Sequence, residues 1–217
     1  MSRMVIGLSG VAGAGKDLFF DLLSKKMPVR RFALADKLKW DCAKWCYREY
    51  DIDPLGCSRE EKEQIREFLV FHGTFKRRLS KGQYWINKLG PDIKGFLLNA
   101  QTEDIPVITD IRYQEYKKDE VTWVKNELNG VLVHISQYEN KEVPDKAQWP
   151  KTKIGKVFLE PTNEEEKRND PILIKNADFL VKWKKINSDN PLDNDYLNEE
   201  VDKFVSWYNE KTKKENK

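Results

Sequence analysis

Cysteine and histidine are scarce in this 217-residue chain, three of the first and two of the second. Cys42 and Cys46 stand one helical turn apart, a spacing that would suit a metal pair. No second ligand pair follows at zinc spacing, and His72 and His134 are isolated, so bystander or buried thiols are expected. Long apolar runs are also missing. Residues 4–8 are far too short for a targeting core, and nothing approaches a membrane span, which reads as a cytoplasmic chain. Neither sign of charge is in excess. The 39 basic and 36 acidic side chains leave a formal +3, which argues against a broad nucleic-acid footprint and for local phosphate pockets. The acidic run at 164–166 and the lysine-rich end read as solvated surface and tail.

What is present is a loop. Residues 4–8 form a short apolar strand, and Gly10, Gly13, Ala14, Gly15 and Lys16 follow as Gly-x-x-x-x-Gly-Lys. Asp17 and Leu18 then open an amphipathic helix. Such a loop aims successive backbone N–H groups at a phosphate, the helix N-terminus adds positive dipole character, and the lysine reaches the terminal phosphates. The chain is therefore expected to bind a nucleoside triphosphate.

Strand and helix signals alternate along the rest. Helical spacing carries to about residue 26, and a strand follows at 29–34. Helices are expected at 35–50, from a Ser58–Glu61 capping box toward 79, and at 84–100 with a break near Gly90-Pro91. A strand at 105–109 ends on Asp110, and a helix at 114–128 stops at Asn129-Gly130. Strands at 131–136 and 177–182 and a closing amphipathic helix complete the pattern. The alternation leads us to expect an α/β fold with a five-stranded, mostly parallel sheet and helices on both faces, which the glycine-rich loop would make a P-loop NTPase three-layer sandwich. The expected single domain has a helical acceptor-binding region at about 34–104, a polar lid at about 138–170 and a C-terminal helix and tail at 190–217.

Lys16 can neutralise the β and γ phosphates. The following position usually carries a hydroxyl for Mg²⁺; here Asp17 offers a carboxylate to the metal or to an acceptor proton, or simply faces the helix dipole. Asp110 and Arg112 stand where a buried parallel strand emerges, the place where ligands of open α/β sheets lie. There an Asp can orient Mg²⁺ and an Arg can clamp a phosphate bidentately.

Taken in order, Gly-Lys-Asp at 15–17, Ala-Asp-Lys-Leu-Lys at 35–39, Arg66, Gly73-Thr74, Tyr84-Trp85, Thr109-Asp-Ile-Arg112 and Asn-Ala-Asp-Phe-Leu-Val at 176–181 form one set. It resembles the deoxynucleoside monophosphate kinases of large DNA bacteriophages, relatives of the P-loop nucleoside monophosphate kinases, over about residues 4–182. The resemblance implies an enzyme using ATP and Mg²⁺ in the cytoplasm, the host's if the source is viral. Its partners would be small nucleotides rather than nucleic acid or membrane, with a homodimer left open. By resemblance Lys39 touches the acceptor, Arg66 and Arg112 hold its phosphate, Gly73-Thr74 lines the base or sugar pocket, and Trp85 stacks on the base. Asp17 and Asp110 then serve Mg²⁺ and catalysis.

Plainer readings stand beside these. Lys39 could be a solvated helix lysine, Arg66 the partner of a neighbouring Glu, Trp85 simple core, and Gly73-Thr74 a helix kink. The chain also departs from the family pattern. Leu18 replaces a Thr, Glu67 and Val70 stand where a basic residue and a Gln are usual, and Glu115 falls three rather than four residues past Arg112. Glu115 remains a candidate for the acceptor site, and Lys167 and Arg168 are candidates for closing on the transferred group. A kinase of another small acceptor such as phosphomevalonate, or a non-catalytic nucleotide-binding module, are the competing readings.

Overall fold

The computed structural model describes residues 3–144, 152–186 and 190–215. The chain runs β1 (Ile6–Ser9), α1 (Lys16–Ser24), β2 (Val29–Phe32), α2 (Leu34–Tyr50), α3 (Arg59–Leu79), α4 (Gln83–Leu98) and β3 (Ile105–Ile108). It continues with α5 (Glu120–Thr122, extended by a π turn at Trp123–Glu127), β4 (Val131–Pro144), β5 (Thr152–Phe158), α6 (Glu164–Asn176), β6 (Phe179–Lys184) and α7 (Asp195–Glu215). Five strands are parallel in the order β2-β3-β1-β4-β6. The sixth, β5, pairs antiparallel with the far half of β4. The mostly parallel sheet is thus as expected, with a hairpin added.

Strand alternation builds two cores, one on each face, because successive side chains point to opposite sides. Ile6, Leu8, Val131, Val133 and Ile135 pack with Phe19, Leu22 and Leu23 of α1 and Val201, Phe204 and Tyr208 of α7. Val5, Ile108 and Leu132 point the other way, against Trp85, Ile86, Leu89 and Ile93 of α4 and Val121, Trp123 and Val124 around α5. These are the outer layers of the sandwich. A smaller cluster of Cys42, Cys46, Ile52, Ile65 and Leu69 glues α2 to α3. The thiols are free and buried, and burial pushes Cys42 up to about 12, as expected for bystanders.

The Ser58 capping box is present: the hydroxyl accepts from Glu61 N, and the Glu61 carboxylate accepts from Ser58 N. Three expectations change. The helix at 84–100 is not broken at Gly90-Pro91; α4 runs through Pro91 because Trp85, Ile86, Leu89 and Ile93 are buried along its length. That packing offsets a proline penalty of about 3 kcal/mol. The helix at 114–128 shrinks to residues 120–127. Residues 112–116 give backbone N–H groups to the Glu120 and Asp119 carboxylates and to Asn169, so side chains replace the helical ladder there. The strand at 131–136 continues to Pro144, so the stretch expected as a polar lid, residues 138–170, holds the β4–β5 hairpin and the first half of α6. Residues 145–151 of that stretch lie outside the described residues. Among the described residues, no helix is long and apolar enough to cross a membrane.

Candidate functional site

The loop after β1 closes on itself at two glycines. Gly10 has φ +137°, and a Cβ there would lie 2.3 Å from the Ile135 carbonyl oxygen. Gly15 has φ +93° and would collide with the Trp183 ring at 2.6 Å. Neither position admits a side chain. The Trp183 indole N–H donates to Ala14 O at 2.9 Å, pinning the loop to β6. Gly15 is also the N-cap of α1, so Lys16 and Asp17 stand at a helix N-terminus.

Lys16 Nζ folds back to donate to Gly10 O at 2.7 Å and Val11 O at 2.9 Å. Burial, with Arg112 nearby, lowers its pKa against the opposing pull of Glu166, Asp17 and Asp110. Asp17 is exposed and its carboxylate has no hydrogen-bond or ion-pair partner among the described residues.

Glu166, expected as solvated surface, and His134, expected to be isolated, complete this end of the site with residues that the sequence did not single out. The Ala12 N–H donates to Glu166 Oε1 at 3.1 Å, and Glu166 Oε2 accepts from Thr162 N and Oγ1. The Asn163 side chain accepts from Glu166 N, so the sequence signal was an N-cap pattern opening α6. His134, at the register position beside Ser9, has Nδ1 3.2 Å from Ser9 Oγ and Nε2 3.6 Å from Asp170 Oδ1. Burial, then Lys16 and Lys182, pull His134 down to about 4, so it is neutral at pH 7. Burial and Glu166 raise Asp170.

At the end of β3, Asp110 is buried and accepts from Leu34 N at 2.8 Å and Ala35 N at 2.7 Å. Both of its oxygens therefore hold the start of α2. Burial raises its pKa, opposed by Arg112 and these two N–H groups. Arg112 is different. Its backbone N–H is tied to Glu120 at 2.6 Å, while its exposed guanidinium makes no hydrogen bond or ion pair among the described residues. It lies close enough to Lys16 and Asp110 to shift both.

A cleft of about 340 Å³ adjoins this strand end. Thr74, Arg77 and Arg78 of α3 form one wall, Tyr113, Glu115 and Tyr116 the second, and Glu165 and Arg168 of α6 the third. Buried Arg77 braces it: the guanidinium lies 3.8 Å from the Tyr113 ring centre and 4.9 Å from that of Tyr116, and pairs with Glu115 and Asp119. Glu115 also accepts from Arg168 at 2.8 Å and Asn169 at 3.1 Å. Burial would raise Glu115, but Asn169, Arg77 and Arg168 hold it below the usual range.

Of the acceptor candidates, Thr74 and Glu115 line this cleft together with the closing candidate Arg168, and Arg112 stands at the neighbouring strand end. Others lie elsewhere. Arg66 pairs with Glu63 at 2.7 Å on an exposed helix surface. Lys39 is 4.0 Å from Asp36. Trp85 is only 6% exposed, and its indole donates to Gly73 O at 3.1 Å, so its ring is core rather than a free stacking face. Gly73 faces Leu38, whose Cδ2 would lie 3.1 Å from a Cβ. Lys167 is exposed beside Glu164.

Among the described residues no group of three His, Cys, Asp or Glu side chains could hold a metal. Among the described residues, Asp17 alone offers a free carboxylate at the loop. That suffices for Mg²⁺, which takes one or two carboxylates and completes its shell with phosphate oxygens and water.

No protein-family model matches the chain, and no curated protein sequence does. Among solved structures, the dephospho-CoA kinase from Campylobacter jejuni is similar, with a TM-score of 0.45 and 16% sequence identity, covering 93% of this chain and 95% of that chain.

Proposed function

We propose that the chain transfers the γ-phosphoryl of ATP, with Mg²⁺, to a (deoxy)nucleoside 5′-monophosphate, giving the diphosphate and ADP. The observation that carries this reading is Arg112. It is a guanidinium without partner among the described residues, at a strand end, electrostatically coupled to the loop lysine and next to a cleft walled by three elements. The loop N–H groups and Lys16 hold the triphosphate, once Lys16 swings from the Gly10 and Val11 carbonyls onto the phosphates. Arg112 clamps the acceptor phosphate bidentately, and Arg168 reaches it from the cleft. An oxygen of that phosphate bonds to the γ-phosphorus as the bond to the bridging oxygen of ADP breaks. Such a transfer rests on positioning and charge neutralisation and needs no covalent nucleophile on the protein. Asp17 would hold Mg²⁺, which supplies neutralising charge between the phosphates.

The burial of Trp85 favours a second reading. With that ring in the core, base recognition falls to Tyr113 and Tyr116, whose faces Arg77 already contacts. A kinase of another small phosphate-bearing acceptor, such as phosphomevalonate, needs no ring platform. A coupled ADP-release assay across the common ribo- and deoxyribonucleoside monophosphates and mevalonate phosphate separates the two. Turnover with a monophosphate supports the first, and turnover only with mevalonate phosphate replaces it. ATP binding with no turnover on any acceptor would make the chain a nucleotide-binding module. Lys16→Ala is the control: it should abolish transfer while leaving the thermal midpoint within a few degrees, since its partners are loop carbonyls rather than core.

A further inference from the structure

We infer that the outer face of α3 is the surface on which two copies of this chain pair antiparallel about a two-fold axis. Globular monomers rarely leave large apolar side chains in a continuous row on one helix. Here Val70 is 61% exposed, Phe71 66%, Phe75 48% and Leu79 70%. Phe71, Phe75 and Leu79 follow one another at i, i+4 and so form a single ridge. The Phe71 and Phe75 rings are stacked with centroids 5.9 Å apart and 13° between planes, which makes the ridge a preformed apolar plate. None of the four belongs to the core clusters formed by the described residues.

Charge identifies the occupant. The N-terminal half of α3 is of mixed charge, with Glu60, Glu61, Glu63 and Glu67 beside Arg59, Lys62 and Arg66, and its C-terminal end is basic, with Lys76 and Arg78. Glu67 precedes Phe71 by one turn on the same ridge, and Arg78 follows Phe75 by three residues. Neither side chain has an ion-pair or hydrogen-bond partner among the described residues. Setting Phe71 of one copy against Phe75 of the other places Glu67 opposite position 79. That is one residue from Arg78, about 1.5 Å along the helix axis and well within an arginine's reach. The two-fold repeats the pair, so both orphan charges on each copy are satisfied at once by an isologous contact. A parallel pairing would instead oppose like charges. One helix face is smaller than the ~800 Å² per partner of a stable interface, so association is expected in the micromolar range.

Sedimentation velocity on the full chain, from about 2 to 200 µM, tests this. The wild type should pass from monomer to dimer, and Phe71→Glu and Phe75→Glu should each stay monomeric with an unchanged unfolding midpoint. Glu67→Arg should weaken the dimer about fivefold, from two lost exposed pairs. Adding Arg78→Glu should restore it, which keeps the test independent of how the Phe variants fold. A wild type monomeric throughout the range, with the face then left to a different partner, overturns the inference. So does a dimer that persists in both Phe variants. A double charge swap that fails to restore association overturns the antiparallel pairing.

Discussion

The backbone N–H of Ala12 donates to Glu166 Oε1 at 3.1 Å, so a carboxylate of α6 occupies a donor that the glycine loop would offer to a phosphate. The same helix carries Arg168 and Glu165 into the cleft, so one rigid element touches both halves of the site. In the proposed reading, nucleotide displaces Glu166 and overcomes its negative charge. Glu166→Gln keeps the shape and an acceptor oxygen for Thr162 but removes that charge. ATP should bind this variant about three- to tenfold more tightly, the difference between a charged and a neutral hydrogen bond. Calorimetric titration checks it; unchanged or weaker binding would mean that Glu166 only caps α6.

Arg112→Ala should reduce kcat/KM for the acceptor roughly ten- to hundredfold, the worth of a charged hydrogen-bond clamp. ATP affinity should move much less, since Arg112 repels rather than binds Lys16. Steady-state kinetics with each substrate varied separately gives the answer. Equal losses for both would remove Arg112 from the acceptor site.

Asp17→Asn should lower turnover by at least about a hundredfold, with ATP affinity changed much less. The exposed carboxylate stands beside Lys16 at the N-terminus of α1. Partial rescue by Asp17→Ser, which restores the usual loop hydroxyl, would assign the residue to the metal rather than to proton transfer. Normal turnover of the Asn variant at saturating Mg²⁺ would make Asp17 a helix-start acid only. Asp110 would be a poor substitute, because Leu34 and Ala35 already use both of its oxygens.

The glycine loop was legible in the sequence because its geometry is a backbone property: Gly10 and Gly15 leave no room for a Cβ, and that requirement shows as residue identity. The buried parallel strands were legible for a similar reason, since alternation and apolar runs follow directly from two covered faces. What stayed hidden depends on which distant segments meet. Glu166 reaches a loop 154 residues away only because β4 lies beside β1 and β6 beside β4. Nothing in the sequence sets Arg77 apart from the other α3 cations, yet it braces the cleft, whereas Arg66, the position marked by the resemblance, spends its charge on Glu63. The irregular segment around 112–119 was misread as helix because its hydrogen bonds go to side chains, which periodicity does not report.

That segment also sets a pH dependence. Glu120 Oε2 accepts from the N–H groups of Arg112 and Tyr113, and burial, chiefly, pushes the Glu120 carboxyl up to about 8 from 4.5. An acid raised in this way binds its proton more tightly when folded. Its contribution to stability is therefore full below about 4.5 and is lost as pH rises toward 8. His134 acts in the opposite direction: pulled down to about 4 from 6.5, it favours the fold above 6.5 and weakens it as pH falls toward 4. The difference between the wild type and Glu120→Gln isolates the carboxyl, because His134 is common to both. Between pH 5 and 8 the wild-type unfolding free energy should fall relative to the variant by up to about 1.4 kcal/mol per pH unit, the slope for one proton. The Arg112 N–H favours the ionised carboxylate, so this tether persists as Glu120 ionises, and acceptor kcat/KM over the same range should fall no more steeply in the wild type than in Glu120→Gln. Parallel denaturant titrations and pH–rate profiles measure both quantities. Superimposable stability profiles for the two proteins would show that folding does not raise the Glu120 carboxyl.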